Sequence, residues 1–261
     1  MTRCGVVQAK LVGGLGNQMH QYAAVRKYAE LHGATLEAPD WIGRRLFGLN
    51  DPFWSCELPE VNDGGSSDTA HAVRWGDVNV RLGGYFQFQC WVGLYSRQEL
   101  KRWFAIQPQW LDACPAISIG SGSRWYPAAH LRRGDYIGHP LYANVHESAY
   151  MQACEKYGIA TNRLVWVDQA CPLRLSAFDQ AGLYDIPDFI TLVRAQVILR
   201  ANSTFSWWAA VLAADDVVVY SPVVENRTGP QDAVPFVLGN WPRCADTRTV
   251  GVQVTDLHLA D

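Results

Sequence analysis

Three short stretches of the chain concentrate residues able to do chemistry. The first is LVGGLGNQMHQYAAV, from Leu11 to Val25, in which Gly13, Gly14 and Gly16 occupy three of four consecutive positions ahead of Asn17 and Gln18. The second is HLRRGDY, from His130 to Tyr136, and the third is ANSTFSWWAA, from Ala201 to Ala210. Glycines let a backbone turn sharply and approach a ligand closely. A helix that follows offers unpaired N–H groups and a positive dipole end to an anion. Arginine carries a planar fork that donates two parallel hydrogen bonds to a phosphate. Asn, Ser and Thr directly before a helix are good caps, and the same hydroxyls and N–H groups would serve a diphosphate.

Each stretch also has a plainer reading. The glycine cluster is not G-x-G-x-x-G, because Met19 stands where a third glycine would be, and no Lys follows to make a P-loop. It could be a tight strand-to-helix turn with Asn17 and Gln18 as caps. Arg133 and Asp135 could form a structural pair at a turn. Adjacent strand residues point to opposite faces, so one arginine could meet a phosphate while the other braces an acid inside the protein. Capping explains one residue of Asn202, Ser203, Thr204 and Ser206, not all four.

The elements around these stretches are those of an α/β protein. VVQAKLV (Val6 to Val12) reads as a strand entering the glycines, and Tyr22, Val25 and Ala29 fall at helical spacing beyond them, with Gly33 as a stop. ATLEA (Ala34 to Ala38) reads as a short strand. Residues 39–80 are weakly periodic and rich in Gly, Asp, Pro and Trp. In YSRQELKRWF (Tyr95 to Phe104), Ser96 and Glu99 have capping-box spacing. After GSGS at 120–123 the pattern alternates clearly. RWYPAAHL is a strand, ESAYMQACEKYG a helix stopped at Gly158, RLVWVD a strand and PLRLSAF a short helix. DFITLVRAQ is a helix, VILRA a strand, STFSWWAAVLAA a helix and DVVVYS a strand. Such alternation predicts a parallel sheet with right-handed crossovers. All three chemical stretches then sit where strands end and helices begin, in the crevice where open α/β sheets collect ligands.

Composition narrows the function. The chain has 261 residues, 49% hydrophobic and 18% charged, an ordinary globular mixture. A formal net charge of −3 provides no basic field for nucleic acid. Seven scattered cysteines without a C-x-x-C pair predict free thiols in a reducing compartment, and no Cys/His cluster has zinc spacing. No segment has the length of a membrane span or the form of a signal peptide. The expected location is cytoplasmic, with peripheral attachment to the inner face of a membrane as an option.

In their order, GGLGNQMHQYA, HLRRGDY and ANSTFSWWAA resemble the three signatures of family 11 glycosyltransferases, the α-1,2-fucosyltransferases. The resemblance implies a GT-B-like α/β fold of two Rossmann-like domains facing a cleft: an acceptor-side domain over 1–119 and a GDP-fucose-binding domain over 120–261. It implies an inverting transfer of L-fucose from GDP-β-L-fucose to a glycan hydroxyl, by default the 2-OH of a terminal galactoside. No metal or other cofactor is implied. Gly14, Gly16, Asn17 and Gln18 then reach toward the diphosphate or fucose. His130 and Arg132 resemble residues contacting the nucleoside and the β-phosphate, with Arg133 and Asp135 as a supporting pair and Asp135 an option for the acceptor side. Ser203, Thr204 and Ser206 resemble a shelf beneath the phosphates. Asp188 falls where the wider superfamily places an acid that reads guanine; alternatively it is a helix N-cap.

The chain departs from the family pattern in three places. His20 stands where Phe is usual, only one acid (Asp168) follows the strand RLVWVD, and the region after Tyr136 is compressed. Arg132 and the helix start at Ser203 to Ser206 would stabilise charge developing on the departing GDP in place of a metal. Asp135, His139, His146 and Glu147 are the candidates for a general base. The competing classes are another nucleotide-sugar transferase on the same scaffold and a non-catalytic sugar- or nucleotide-binding module.

Overall fold

In the computed structural model, residues 5–62, 77–87, 89–117, 125–133, 136–137, 144–223 and 236–239 are described, and all structural statements below concern these. The chain divides into two units with the boundary between Gln107 and Pro108. That lies ahead of the boundary read from the sequence after residue 119. The reason is that the short helix over 108–113 and the residue after it are tied to the second unit: Arg194 donates to Leu111 O at 2.6 Å and to Cys114 O at 2.8 Å.

The first unit is a four-stranded parallel sheet. Its strands are β1 (Val6–Ala9), β2 (Thr35–Glu37), β3 (Glu60–Asn62) and β4 (Val80–Gly83), in the order β2-β1-β4-β3. Helix α1 (Leu15–His32) carries the chain from β1 to β2. It ends, as expected, on Gly33 in the left-handed region at φ 60°. Residues around most of the circumference of α1 are buried, because partners cover it on several sides. Tyr22 packs on Trp41 and Phe104, and its hydroxyl donates to Asp51 at 2.6 Å. Helix α2 (Ile42–Phe47), helix α3 (Gln89–Val92) and helix α4 (Arg97–Trp103) complete the unit. The capping box expected at Ser96 and Glu99 is present in both directions.

The second unit holds α5 (Pro108–Ala113) and a five-stranded sheet in the order β6-β5-β7-β8-β9. Its strands are β5 (Pro127–Leu131), β6 (Val165–Asp168), β7 (Val197–Leu199), β8 (Val218–Pro222) and β9 (Phe236–Gly239). The first four in the sheet are parallel and β9 is antiparallel. Helices α6 (Glu147–Tyr157), α7 (Ser176–Gln180), α8 (Ile186–Arg194) and α9 (Thr204–Leu212) form the crossovers. The helix expected over PLRLSAF begins four residues late, at Ser176, once Pro172 and Leu175 have left helical geometry.

The alternation of β5 decides which residues face which helices. Ala129 and Leu131 pack with Ala149, Tyr150, Ala153 and Cys154 of α6. His130 points to the other face, where its ring lies 5.3 Å from that of Phe205 in α9 and Phe205 in turn meets Phe189 of α8. Trp207 and Trp208 are buried below, edge to face at 4.9 Å.

Candidate functional site

In each sheet the strand order changes sense beside its first strand in sequence, at β1/β4 and at β5/β7, which marks a crevice at the carboxyl ends of those neighbouring strands. In the second unit the reversal falls between β5 and β7. The segments leaving these two strands are LRR and RANST, so HLRRGDY and ANSTFSWWAA meet at one place. Helices antiparallel to the strands bring the N-termini of α6, α8 and α9 to the same edge. Glu147, Asp188 and Ser203 therefore all belong to this end of the sheet. The hydroxyl of Tyr150 ties it together: it donates to His130 O at 2.6 Å, and Arg200 O lies 3.4 Å away.

Arg132 and Arg133 are each partly buried and have different surroundings. Arg133 pairs with Asp168 of β6, Nε to Oδ1 at 3.2 Å, and with Glu147 of α6 at 3.6 Å. Its backbone N–H donates to Gln169 Oε1. An acid at the end of β6 thus braces this arginine. Asp135, the expected brace, lies outside the described residues, as do Gly134 and His139. Arg132 instead lies over the Tyr136 ring, 4.6 Å from its centre. Two general-base candidates are engaged structurally. His146 caps α6 by accepting from Ser148 N–H at 3.4 Å, and Glu147 belongs to Arg133.

His130 is 4% exposed, and its Nδ1 is buried with no hydrogen-bond partner among the described residues. Burial, with the nearby charges of Arg132 and Arg200, pushes its pKa down to about 3. It is a neutral imidazole at physiological pH, able to donate one hydrogen bond and accept another.

At the start of α9, Ser203 is the N-cap and accepts from Phe205 N–H at 3.3 Å, while Thr204 is half-buried. Ser206 departs from the shelf expected of it. It is fully buried and its hydroxyl lies 3.4 Å from Ala201 O and 3.3 Å from Ser203 O, so it braces the helix start from inside. Arg200, which the sequence reading passed over, is 1% exposed and donates to Ser221 Oγ at 2.9 Å. The available signal was a single arginine closing the apolar run VIL.

Asp188 is not an N-cap. Asp185 holds that position, and Asp188 lies inside the first turn of α8, 8% exposed. Its Oδ1 accepts from Leu173 N–H at 3.1 Å. Burial, reinforced by the charges of Asp185 and Asp168, pushes its pKa up to about 6 against the pull of the Leu173 bond. It is still largely ionised at neutral pH and could accept from a ligand donor through Oδ2.

In the first unit the reversal falls between β1 and β4. The glycine turn leaves β1 there, and the segment GYFQ leaves β4. Gly13 has φ +80°, and a Cβ on it would come 2.8 Å from Asn17 Nδ2. Gly14 is the N-cap of α1 with open space around it, whereas Gly16 is buried inside the first turn. Gln18 bends back and donates to Gly13 O at 2.9 Å. Asn17 Oδ1 accepts from Gln87 Nε2 at 2.9 Å, and Gln21 Oε1 accepts from Val12 N–H at 2.7 Å. Gln87 and Gln21 had no sequence signal beyond polarity in apolar surroundings. Behind the turn, Gln8, Glu37 and Arg81 form a buried polar row across β1, β2 and β4.

Among the described residues, no group of three or more His, Cys, Asp or Glu side chains could hold a metal ion. No described helix is long and apolar enough to cross a membrane. Cys56, Cys114, Cys154 and Cys171 are free thiols.

The chain matches no protein-family model. It is similar over most of its length to galactoside alpha-(1,2)-fucosyltransferases. Identity to the rabbit (Oryctolagus cuniculus) enzyme 2 is 26%, over 94% of this chain and 76% of that one. Identity to the mouse (Mus musculus) enzyme 2 is 24%, over 82% and 70%. Among solved structures it resembles the fucosyltransferase NodZ from Bradyrhizobium, with a TM-score of 0.55 at 11% identity over 91% of this chain and 99% of that one. It also resembles Arabidopsis thaliana FUT1 in complex with GDP, with a TM-score of 0.52 at 13% identity over 92% and 76%. The fold is therefore the GT-B-type α/β fold of these fucosyltransferases.

Proposed function

We propose that this relative of the galactoside α-(1,2)-fucosyltransferases is itself an inverting fucosyltransferase. It moves L-fucose from GDP-β-L-fucose to a glycan hydroxyl, the 2-OH of a galactoside. The observation that carries the reading is the convergence of HLRR and NST on the β5/β7 reversal. That crevice offers two arginines, a capped helix N-terminus and a buried acid, which suit the phosphates and the base of a guanine nucleotide. The structural neighbours support it, since NodZ takes up GDP-fucose and the Arabidopsis FUT1 structure holds GDP.

In this reading the second unit holds the donor and the first meets the acceptor side. Asp188 accepts from guanine N1–H and the exocyclic amine, and His130 contacts the nucleoside. Arg132 grips the β-phosphate. Its fork strengthens its hold as the fucosyl–oxygen bond breaks and negative charge develops on GDP. The N-terminus of α9 at Ser203 and Thr204 adds fixed positive potential. Arg133 is held off the ligand by Asp168 and Glu147, and so fixes the loop that carries Arg132. Fucose departs with oxocarbenium character and an acceptor hydroxyl attacks the opposite face, which inverts the centre. Asp135 is assigned to the acceptor side as the base. The chemistry requires no metal in this reading, because Arg132 and the N-terminus of α9 supply the positive charge.

The test is a set of titrations followed by turnover. GDP is expected to bind in the micromolar range and UDP much more weakly. Mixing GDP-fucose with a β-galactoside in EDTA should release GDP and yield a fucosylated product. Equal affinity for UDP and GDP would remove the guanine assignment. Turnover that stops in EDTA and returns with manganese would overturn the metal-free mechanism.

A further inference from the structure

Residues 52–59 run as a strap across one face of the first sheet, and three consecutive residues are each tied to a different strand. Ser55 N–H donates to Glu37 Oε2 of β2 at 2.9 Å. Cys56 O accepts from Gln8 Nε2 of β1 at 2.8 Å, and Glu57 Oε1 accepts from Arg81 Nη1 of β4 at 2.7 Å. The two ends are fastened as well, Pro52 O by Ala38 N–H at 3.0 Å and Pro59 O by Arg81 N–H at 2.8 Å. Gln8 stands opposite Glu37 on one side and Arg81 on the other, so the three side chains share that face. Apolar side chains there would pack without the cost of desolvating a carboxylate and a guanidinium. What the polar row achieves is a fixed backbone path for the strap.

A segment that merely covers a sheet turns its large apolar side chains toward it. This one is turned the other way: its backbone is held to the sheet, while Phe53 is 61% exposed and Trp54 36%. Each ring is backed by a guanidinium, Arg44 over Phe53 at 4.2 Å from the ring centre and Arg81 over Trp54 at 3.9 Å. Both guanidiniums are committed elsewhere. Arg44 donates to Ala38 O and Pro39 O, and Arg81 donates to Gln8 Oε1 through two nitrogens and to Glu57 through the third. The Glu57 side chain remains 84% exposed, and its bond to Arg81 holds its carboxyl below the usual carboxylate range. One buried arginine thus fixes an outward ring and an outward carboxylate together. A pyranose ring matches that pair. The C–H bonds on its face are drawn to the negative face of an aromatic ring, and its hydroxyls donate to a carboxylate. An anionic surface would meet the charge of Glu57 instead.

We propose that Trp54 and Glu57 form a glycan-binding platform on the first unit, which takes a neutral pyranose residue with its C–H face on the indole and a hydroxyl on the carboxylate. That this glycan is the acceptor rests on the fucosyl-transfer reading; the platform itself does not. The experiment titrates lactose into the protein, with and without GDP, while NMR follows the indole N–H signals. The Trp54 signal, identified by its loss in Trp54→Phe, should shift. With GDP-fucose as donor, KM for lactose should rise roughly fivefold in Trp54→Ala, the scale of one aromatic contact. The rise should be smaller in Trp54→Phe, which keeps a ring, and in Glu57→Gln. The effect should fall on KM rather than kcat, with GDP affinity matching the parent's and the melting temperature of Trp54→Phe unchanged. If lactose shifts the signal but GDP-fucose is not turned over, the fucosyl reading fails and the platform stands. A Trp54 signal that lactose leaves in place overturns the platform, as does an equal KM in the parent and Trp54→Ala. Capture by phosphatidylcholine–phosphatidylserine vesicles that is lost in Trp54→Ala, with no response to lactose, would overturn it in favour of a membrane contact.

Discussion

The two strand-order reversals solve different problems with different side chains. The crevice at β5/β7 is built from formal charges: Arg132, Arg133 and Arg200 with Asp168, Asp188 and Glu147 around them. The one at β1/β4 is lined by amides, with Gln18, Gln21 and Gln87 fixing the backbone and Asn17. Charge is needed where charge develops, and ions held by a rigid frame stabilise it without reorganisation. Neutral amides discriminate by direction instead, and their polarity must be imposed by neighbours. The comparison teaches that replacements should fail differently in the two crevices. At β5/β7 the sign and shape of the charge matter; at β1/β4 the orientation matters.

The largest effect should come from Arg132. Lysine there keeps the charge and loses the fork, so Arg132→Lys should approach Arg132→Ala, with kcat/KM down on the order of 10²-fold or more. The melting temperature should hold, since Arg132 is only half-buried. Steady-state kinetics and thermal melts on both variants decide; a Lys variant with near-normal kcat/KM would move the phosphate role to Arg133.

Asp188 comes next, and its effect is one of pH. Guanine recognition needs the ionised carboxylate, so GDP affinity should fall about tenfold per pH unit below about 6 and lie flat in Asp188→Asn. Stability should move the opposite way. The folded pKa is raised, so its contribution is full below the unfolded value near 4 and is lost as pH rises through about 6. Asp188→Asn should therefore melt higher than the parent at pH 7.5, by up to about 3 kcal/mol, and converge with it near pH 4. Calorimetric titrations and melts across that window read both signs. A parent affinity that is constant from pH 5 to 8 would remove Asp188 from the base.

The smallest effects separate the two exposed glycines of the turn. Gly13→Ala forces a Cβ into the left-handed region and onto Asn17, and should cost about 1–2 kcal/mol. Gly14→Ala meets nothing, so its melt should match the parent. Loss of activity in a normally stable Gly14→Ala would place a ligand at that point; full activity would show that the turn merely turns.

The sequence was most legible where one periodicity ran uninterrupted. The alternation from β5 to β8 stood out because each strand is a short apolar run bounded by turn residues, and HLRRGDY and ANSTFSWWAA meet because they leave two adjacent strands. Helix α2, strands β3 and β4, and helices α3 and α5 passed unseen. They are three to six residues long, below the length at which a hydrophobic period can be read. Strand β4 is also held by a distant partner, since Arg81 donates to Gln8 of β1. Residue roles failed for a related reason. Ser206 was grouped with the shelf because hydroxyls before a helix look alike until the helical turn points one of them inward. Arg133 has Asp168 as a partner that its sequence neighbours did not reveal, because only the parallel register Leu131↔Asp168 brings the end of β6 beside it.

The antiparallel strand β9 bears on how the protein comes off the ribosome. It pairs with β8 through Val219↔Gly239 to Pro222↔Phe236, and so caps a row of backbone groups that would otherwise be open. Until residue 239 has been made, the nascent chain exposes that row on a strand holding Val219 and Tyr220, a template for any other chain at hand. Synthesis at high concentration, or any truncation before Phe236, should therefore favour aggregates over folded product. Yield would then depend more on how soon β9 docks than on the affinity of the β5/β7 crevice, which lies beyond β8 in the same sheet.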